Sequence, residues 1–560
     1  MTSLFRPLFL ASAAFFLTIA LPPQPANSES LAGSYLAASQ ANFENDYAAS
    51  ALYFTRALAG DPENAGIMQN VVLAYIAIGN AASAVPVAAK METLGANSQL
   101  AQLLLLTDAI KNGKFDDANA LFEKGATFSP LLDGLVRGWI YLGMGNMSDT
   151  TAKFDEMAAN DAMQVFSDYH QALTLALVGD FEGAEKLLAG RNGQAIRIGR
   201  GSLIAHIEIL SQLERNDEAI TIIEGAMNGS GDLEMLGYID RLKAGETLAF
   251  DVVTTPADGA SEVFFTLASV LSGENNDRFG LIYARLAEYL RPSSVDAILI
   301  VSDMLSAQNQ YDLAIESLNK VPSTDPQFYS AEVARASALQ SSDKADAGIE
   351  VLRGLTKSHS TIPTVFTALG DALRRESRFP EATEAYNSAI ALLPDVQPNH
   401  WFLYYARGIT HEREHNWDAA EKDFRFALSL SPDQPLVLNY LGYGLVEKGL
   451  KMDEAQKMIE TAVAKQPNDG YITDSLGWVL YRVGKFSQAV PQLEKAIELM
   501  PVDPIINDHL GDAYWQVGRK LEAAFQWRRA LSFAPDEKDA VRIRQKLELG
   551  LDAVLKSETE

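Results

Sequence analysis

Five residues in the C-terminal half of the chain have the spacing of a zinc-binding motif. His411 and His415 stand four positions apart, and Glu412 directly follows the first histidine. Residues four apart share a helix face, so the two imidazoles could hold zinc while Glu412 polarises a bound water. A zinc peptidase also needs a third ligand and a substrate-binding scaffold, which the surrounding sequence does not obviously offer. We therefore expect no metal site here and keep a zinc peptidase as a remote alternative.

The remaining sequence lacks residues that point to catalysis. It contains no nucleophile elbow, phosphate-binding loop or dinucleotide-binding fingerprint. It also contains no cysteine, which excludes a disulfide, a thiolate metal site and a thiol nucleophile. The other histidines are scattered, and a structural role is the default for each. We predict that the protein is not an enzyme and that it has no cofactor.

In the part of the chain that contains this motif, the same residue types recur about every 34 residues. Leu441-Gly442, Leu476-Gly477 and Leu510-Gly511 recur at intervals of 35 and 34. A small residue and then a proline follow each pair: Ala455 and Pro467, Ala489 and Pro501, Ala523 and Pro535. This pattern resembles the tetratricopeptide repeat (TPR). The resemblance implies an all-α, right-handed superhelical solenoid of about 13–14 helix-turn-helix repeats, each packed against its neighbours.

One small residue in the second helix of each predicted repeat extends the period over most of the chain. Two helices that cross near contact distance need a small side chain at the crossing. We assign this position to Ala49, Ala84, Ala118, Thr150, Ala184, Ala219, Gly280, Ala314, Ala347, Ala382, Ala420, Ala455, Ala489 and Ala523. The interval from Ala219 to Gly280 is much longer than one repeat. We predict there a helix over Leu233 to Lys243 and an extended loop over Phe250 to Gly259, in place of a second helix.

These assignments predict six segments. They are a signal peptide (1–28), an N-terminal degenerate array (29–228), an interrupting segment (229–259), central degenerate repeats (260–360), a well-formed C-terminal array (361–535), and a capping helix and tail (536–560). We expect one charged helix from Glu537 to Lys556 to cover the last apolar face.

The first residues and the overall charge favour an exported protein. Arg6 precedes an apolar stretch from Leu8 to Leu21. Prolines at 22, 23 and 25 end this stretch, and small residues follow at 26–28. This predicts a cleaved signal peptide, a periplasmic location, and no membrane span in the mature chain. The formal net charge of −27 argues against nucleic acid as a partner. It suits solubility and a basic partner, although solvation of an acidic solenoid explains it equally well.

The strongest functional signal is a predicted surface on the first helices of the C-terminal repeats. Aromatic, carboxylate and amide side chains recur there at equivalent positions, and stacked helices would align them in a trough for a peptide. The predicted protein-binding groove consists of Asn439, Tyr443, Asp474, Trp478, Tyr481, Arg482, Asp508, Asp512 and Trp515. In the alternative interpretation, the rings only pack between repeats.

The segment from Leu438 to Leu531 resembles a narrower group, the bacterial envelope TPR proteins. The resemblance lies in 438–443 (LNYLGY), 473–482 (TDSLGWVLYR), 508–515 (DHLGDAYW) and 527–530 (WRRA). This group includes adaptors of carboxyl-terminal processing proteases. The resemblance implies an adaptor for a protease or for cell-wall enzymes, peripheral to the outer membrane. A scaffold for outer-membrane or polysaccharide-export assembly is the alternative, and self-association through the ends of the array is also open.

Overall fold

The computed structural model describes residues 30–190, 193–227, 232–272, 277–393 and 395–559. Within these ranges every regular element is helical: 31 α-helices and one short 3-10 turn at Pro398–His400. The predicted signal peptide lies outside the described residues. In the described ranges no helix combines the length and apolar character that a membrane crossing requires.

The helices fall into two groups on either side of the predicted interruption. The first group is α1 (Leu31–Phe43), α2 (Tyr47–Gly60), α3 (Ala65–Ala77), α4 (Ala81–Thr93), α5 (Gln99–Lys111), α6 (Phe115–Glu123), α7 (Pro130–Gly143), α8 (Met147–Ala158), α9 (Asp161–Leu177), α10 (Phe181–Leu188), α11 (Arg200–Gln212) and α12 (Asn216–Met227). A single helix, α13 (Leu233–Lys243), follows.

The second group begins after a non-helical segment at 244–255. It is α14 (Pro256–Leu271), α15 (Asp277–Leu290), α16 (Val295–Ala307), α17 (Tyr311–Leu318), α18 (Phe328–Ser341), α19 (Ala345–Ser358), α20 (Pro363–Arg375), α21 (Phe379–Ala391), α22 (Trp401–Arg413), α23 (Trp417–Leu430), α24 (Pro435–Glu447), α25 (Met452–Lys465), α26 (Gly470–Arg482), α27 (Phe486–Leu499), α28 (Pro504–Gln516), α29 (Lys520–Ser532), α30 (Glu537–Leu549) and α31 (Leu551–Thr559).

The helices confirm the predicted all-α fold of helix-turn-helix repeats. Each of the fourteen predicted small residues lies in the second helix of a consecutive pair. The register is wrong by one residue in two pairs. Ser50 is buried in place of Ala49, and Gly348 is buried in place of Ala347, which is exposed. A β-carbon on Gly348 would lie 2.7 Å from the carbonyl oxygen of Ala336, so the helix crossing selects glycine.

The glycine of each Leu-Gly pair marks the contact between the two helices of a repeat. A β-carbon on Gly477 would lie 2.4 Å from Cγ of Leu493 on α27. A β-carbon on Gly511 would lie 2.4 Å from the indole nitrogen of Trp527 on α29. The large residue of the second helix therefore fills the space that the glycine leaves, which explains why the pair recurs with the repeat.

The chain divides into two compact units. The first unit comprises the residues up to 223 together with 237–325, and the second comprises 224–236 and 326–560. These boundaries differ from the predicted segments, because the predicted central block, 260–360, is divided at residue 325. The helix predicted for Leu233 to Lys243 is present with those bounds.

In the first unit, α14 and α15 pack against first helices of the N-terminal array. Helix α14 contacts α5, α7 and α9, and α15 contacts α3 and α5. The Arg285 guanidinium donates a 3.0 Å hydrogen bond to the carbonyl oxygen of Ala77, and the Tyr289 hydroxyl donates a 2.7 Å bond to Asp108. The chain therefore turns back and covers with its own helices the side of the array that first helices line.

The segment before α14 makes this return possible, and it corrects the predicted loop over Phe250 to Gly259. Only its first part is non-helical, because Pro256, Asp258 and Gly259 belong to the first turn of α14. Thr255 caps this helix by accepting a 3.1 Å hydrogen bond from the Asp258 amide. The non-helical part is held by Glu208, which accepts a 3.0 Å bond from the Asp251 amide.

The C-terminal residues form two helices, so the predicted single helix from Glu537 to Lys556 is wrong. Gly550 separates α30 from α31 and has a φ of 82°, a left-handed conformation that favours glycine. A β-carbon on Gly550 would also lie 2.7 Å from the ring of Trp515. The bend therefore brings α31 directly against α28.

Candidate protein-binding site

Four large apolar side chains are exposed at the same place in four consecutive repeats of the second unit. Each is the second residue of a first helix, and the intervals between them are 34, 35 and 34 residues. This apolar ladder consists of Phe402 (40% exposed), Leu436 (42%), Tyr471 (56%) and Ile505 (50%). The second residue of the preceding first helix is Thr364. Adjacent exposed apolar residues of this kind are typical of interaction surfaces.

None of the four ladder residues belongs to the predicted groove, although their regular spacing is present in the sequence. The predicted groove uses positions that lie further along the first helices. The ladder residues stand six positions before the repeat glycines Gly408, Gly442, Gly477 and Gly511. Extending the same period to the start of each helix would have found them.

A cavity of about 270 Å³ lies beside the ladder, between α24, α26 and α28. It is lined by Asn439, Tyr440, Tyr443, Tyr471, Asp474, Ser475, Asp503, Ile505 and Ile506. Two of these residues carry carboxylates, three carry phenol rings, and none is a lysine or arginine. The side-chain oxygen of Asn439 is buried and has no hydrogen-bond partner among the described residues.

A second cavity of about 430 Å³ adjoins the first, and Tyr443 and Ile505 line both. Its other lining residues are Glu447, Trp478, Arg482, Pro504, Asp508, His509, Pro535, Lys538, Asp539, Arg542, Ile543 and Glu558. Charges of both signs face this cavity, and Glu558 shows that α31 reaches its wall.

Trp478 packs between neighbouring repeats, where it contacts residues of α24, α26 and α28. Its ring stacks on Tyr481, with centroids 4.8 Å apart, and on His509, with centroids 3.9 Å apart. Its indole N–H donates a 2.7 Å hydrogen bond to Glu447, which also accepts a 3.0 Å bond from Arg482. Only 9% of Trp478 is exposed. Replacing this ring would therefore disturb the packing of α24, α26 and α28 as well as any binding surface.

Asp474 and His509 form a buried pair across α26 and α28. The imidazole Nδ1 lies 3.0 Å from each carboxylate oxygen. Burial alone would lower the pKa of His509, but Asp474 and the nearby carboxylates of Asp508 and Asp512 outweigh it and raise this pKa above its ordinary value. The pair thus favours the charged imidazolium form of His509.

The predicted carboxylates Asp508 and Asp512 bind a residue of the chain itself. The Lys546 ammonium of α30 donates to Asp508 and Asp512, with a shortest distance of 2.7 Å to each. Asp512 also accepts a 3.0 Å bond from the Trp527 indole. Burial and the neighbouring Asp512 raise the pKa of Asp508 to about 6, although Lys546 opposes the shift.

Trp515, the last residue of the predicted groove, lies against the terminal helices. Its indole N–H donates a 3.1 Å hydrogen bond to Asp552 on α31, and its ring centroid lies 5.5 Å from that of Trp527.

The structure separates the nine residues of the predicted groove into two sets. Six of its residues line the two cavities: Asn439, Tyr443, Asp474, Trp478, Arg482 and Asp508. Tyr481, Asp512 and Trp515 line neither cavity. A role of these nine residues in partner binding stays a prediction.

The geometry does not support the zinc alternative at His411, Glu412 and His415. Helix α22 ends at Arg413, and His415 has a left-handed φ of 62° in the turn to α23. The two histidines therefore do not share a helix face, and His411 lies 3.9 Å from Asp423 on α23. Among the described residues, no group of three or more metal-ligating side chains is close enough to hold an ion.

Comparisons with known proteins agree with the repeat architecture. Residues 475–538 match the tetratricopeptide repeat family. TPR repeat-containing protein PA4667 of Pseudomonas aeruginosa is 29% identical over 189 residues, which are 33% of this chain and 31% of that protein. Human Tetratricopeptide repeat protein 13 is 25% identical over 177 residues, 31% of this chain and 20% of its own.

The matches to these curated relatives span about a third or less of either protein. Among solved structures, the APC/C hetero-tetramer Cut9–Hcn1 aligns with a TM-score of 0.41 and 14% identity over 92% of this chain and 96% of that one. The family match thus places tetratricopeptide repeats at residues 475–538, and consecutive helix pairs continue this helix-turn-helix architecture through the described part of the chain.

Proposed function

We propose that the protein is an exported scaffold that binds other envelope proteins through the apolar ladder and the two adjoining cavities of its second unit. Tetratricopeptide repeats commonly present such surfaces to protein partners. The observation that carries the proposal is the ladder, because four large apolar side chains at equivalent positions each leave 40–56% of their surface exposed.

The first unit supports the choice of the second unit for this role. Its own α14 and α15 lie against the first helices α3, α5 and α7, which leaves less of that side open to a partner. In the second unit, the ladder and the cavities of about 270 and 430 Å³ remain open. A partner segment there would bury apolar area and meet polar groups at fixed positions.

The envelope location rests on the signal-like residues 1–28 and on the resemblance of the C-terminal repeats to envelope TPR proteins. Within this class, we infer that the partner is a processing protease or a cell-wall enzyme, which the scaffold delivers or activates. An assembly or export machine is the alternative partner, and a capture experiment separates the two.

The test is affinity capture from envelope extract with the chain from Glu29 onward, followed by mass spectrometry. The comparison variant carries Leu436→Ser, Tyr471→Ser and Ile505→Ser, which remove apolar surface from exposed positions and should leave the thermal melt unchanged. We expect a protease or wall hydrolase that the wild type retains and the variant does not. Export components with the same dependence would favour the alternative, and equal retention by both proteins would contradict the site.

A further inference from the structure

The cavity of about 270 Å³ between α24, α26 and α28 has an unusual set of lining groups. Asp474 and Asp503 contribute carboxylates, Asn439 contributes a buried oxygen without a partner among the described residues, and three tyrosine rings complete the walls. None of the described residues that line it is a lysine or arginine, whereas Arg482, Lys538 and Arg542 line the neighbouring cavity. Acceptors and aromatic faces thus gather in a cavity whose described walls carry no lysine or arginine.

The carboxylates keep the capacity to accept further hydrogen bonds. One oxygen of Asp503 caps α28 by accepting from the amides of Ile505 and Ile506 at 2.9 and 3.0 Å, and a side-chain hydrogen bond links this carboxylate to Tyr471. A carboxylate has about four acceptor positions, so capacity for a further donor remains. The Asp474 oxygens both face Nδ1 of His509, which can supply one proton to the pair of them. Carboxylates next to phenol rings are the combination that binds ammonium or guanidinium groups, by charge-assisted hydrogen bonds and by cation–π contact.

The cavity also lies within the apolar ladder. Tyr471 and Ile505, which are two of the ladder residues, belong to its wall. Packed helices lie about 8–10 Å apart, a distance that an extended segment covers with about three residues. A segment lying along the ladder would therefore bring one side chain to the cavity between two apolar contacts.

We propose that this cavity receives a lysine or arginine side chain of a partner segment whose flanking apolar residues lie on Tyr471 and Ile505. The inference rests on the proposed function and specifies the chemistry of its partner. An acidic side chain would meet the carboxylates of Asp474 and Asp503, which outnumber the one imidazolium, His509, that pairs with Asp474. An uncharged one would cover them without replacing their lost hydration.

The test uses isothermal titration of the chain from Glu29 onward with blocked peptides of about twelve residues, long enough to span about 40 Å when extended. The probe peptide has a central arginine with a leucine two positions before it and two positions after it, so that all three side chains point to one face of the extended segment and the leucines lie about 13 Å apart. In the control peptide, citrulline replaces the arginine, which keeps the shape and removes the charge. A third peptide carries glutamate at the centre.

The matched protein variant is Asp474→Asn with Asp503→Asn. Asparagine caps a helix as well as aspartate does and still accepts from His509, so this variant keeps the hydrogen bonds and loses both negative charges, including the one that pairs with the His509 imidazolium. Asp418→Asn, which removes an exposed carboxylate in the first turn of α23, is the control. Because the double variant leaves the His509 imidazolium without its charged partner, we expect it to melt at a lower temperature, and binding is measured where circular dichroism shows all three proteins to be folded.

We expect the arginine peptide to bind roughly ten-fold more tightly than the citrulline peptide, and this preference to disappear in the double variant only. Equal binding of the arginine and citrulline peptides, or a preference that survives in the double variant, would overturn the cation site. If both peptides bind equally but lose affinity in the Leu436→Ser, Tyr471→Ser, Ile505→Ser variant, the proposed groove stands without its cation site. Absence of saturable binding would overturn the inference, while the capture experiment still decides the proposed function.

Discussion

The ammonium group of Lys546 lies 2.7 Å from the carboxylate of Asp512, and both side chains are almost completely buried. The same ammonium lies 2.7 Å from Asp508. These contacts connect α30 to α28 and supply one positive charge to two neighbouring carboxylates. The end of the repeat array is therefore closed by an ionic contact in addition to apolar packing.

Replacing Lys546 by methionine should strongly destabilise the C-terminal repeats. The change removes the hydrogen-bonded cation from Asp508 and Asp512 and leaves only the Arg542 guanidinium, 3.8 and 3.7 Å away, near them. Removing one partner of a buried ion pair costs about 3–5 kcal/mol. Urea unfolding monitored by tryptophan fluorescence measures the change in the free energy of unfolding. Lys538→Met on the exposed side of α30 is the control and should change this free energy by less than about 0.5 kcal/mol. Equal effects of the two variants would contradict the assignment.

Replacing Gly477 by alanine should destabilise the repeat that contains α26 and α27. The new β-carbon would lie 2.4 Å from Cγ of the fully buried Leu493, so overpacking should cost about 1–3 kcal/mol. Gly354→Ala in α19 is the matched control, because among the described residues no atom beyond its own helix backbone lies within 4 Å of the place that its β-carbon would take. That change should stabilise the protein by about 0.5–1 kcal/mol. Thermal unfolding should therefore show a lower melting temperature for Gly477→Ala and a higher one for Gly354→Ala than for the wild type.

Stability of the first unit should fall as the pH rises, because of Glu208. Burial, together with the nearby Asp251 carboxyl, raises the pKa of Glu208 to about 9. The folded chain keeps this proton at pH values where the unfolded chain has lost it, so stability declines from about pH 4.5 to about pH 9. The loss reaches at most roughly 3 kcal/mol near neutral pH. Thermal melts across this range should show a smaller pH dependence for Glu208→Gln. An unchanged profile would show that another group causes the decline.

Replacing His415 by glycine should stabilise the turn between α22 and α23. His415 has a φ of 62°, a conformation that glycine adopts without strain, and the equivalent turns after α26 and α28 contain Gly484 and Gly518. We expect a gain of about 0.5–1 kcal/mol by chemical denaturation. Gly484→Ala is the reciprocal control and should cost a similar amount, since no other described residue lies within 4 Å of that position. A loss of stability in His415→Gly would point to a side-chain role for the histidine.

The repeat fold was predictable because its packing depends on residue size at regular intervals. Gly477 and Ala489 each mark a helix crossing that only a small residue permits, so the pattern survives in the sequence. The return of α14 and α15 onto the N-terminal repeats was not predictable, since it depends on contacts between residues such as Arg285 and Ala77, which lie far apart in sequence.

The candidate site was only partly predictable for a similar reason. The positions of Asp474 and Trp478 on their helix follow from helical spacing, but their partners do not. Asp512 meets Lys546 only because α30 stacks on α28, and Trp515 is covered because Gly550 turns α31 onto it. The ladder needed no long-range contact and could have been found from the repeat period.

The most direct test of the proposed binding surface is site-specific photocrosslinking in the living cell envelope. A benzophenone amino acid replaces Ile505 in one variant and Lys422, on the second helix α23, in the other. We predict a discrete crosslinked protein from position 505 that is absent from position 422, and we expect the Leu436→Ser, Tyr471→Ser change to abolish it. No crosslink from 505, or the same crosslinks from both positions, would contradict the assignment of partner binding to this surface.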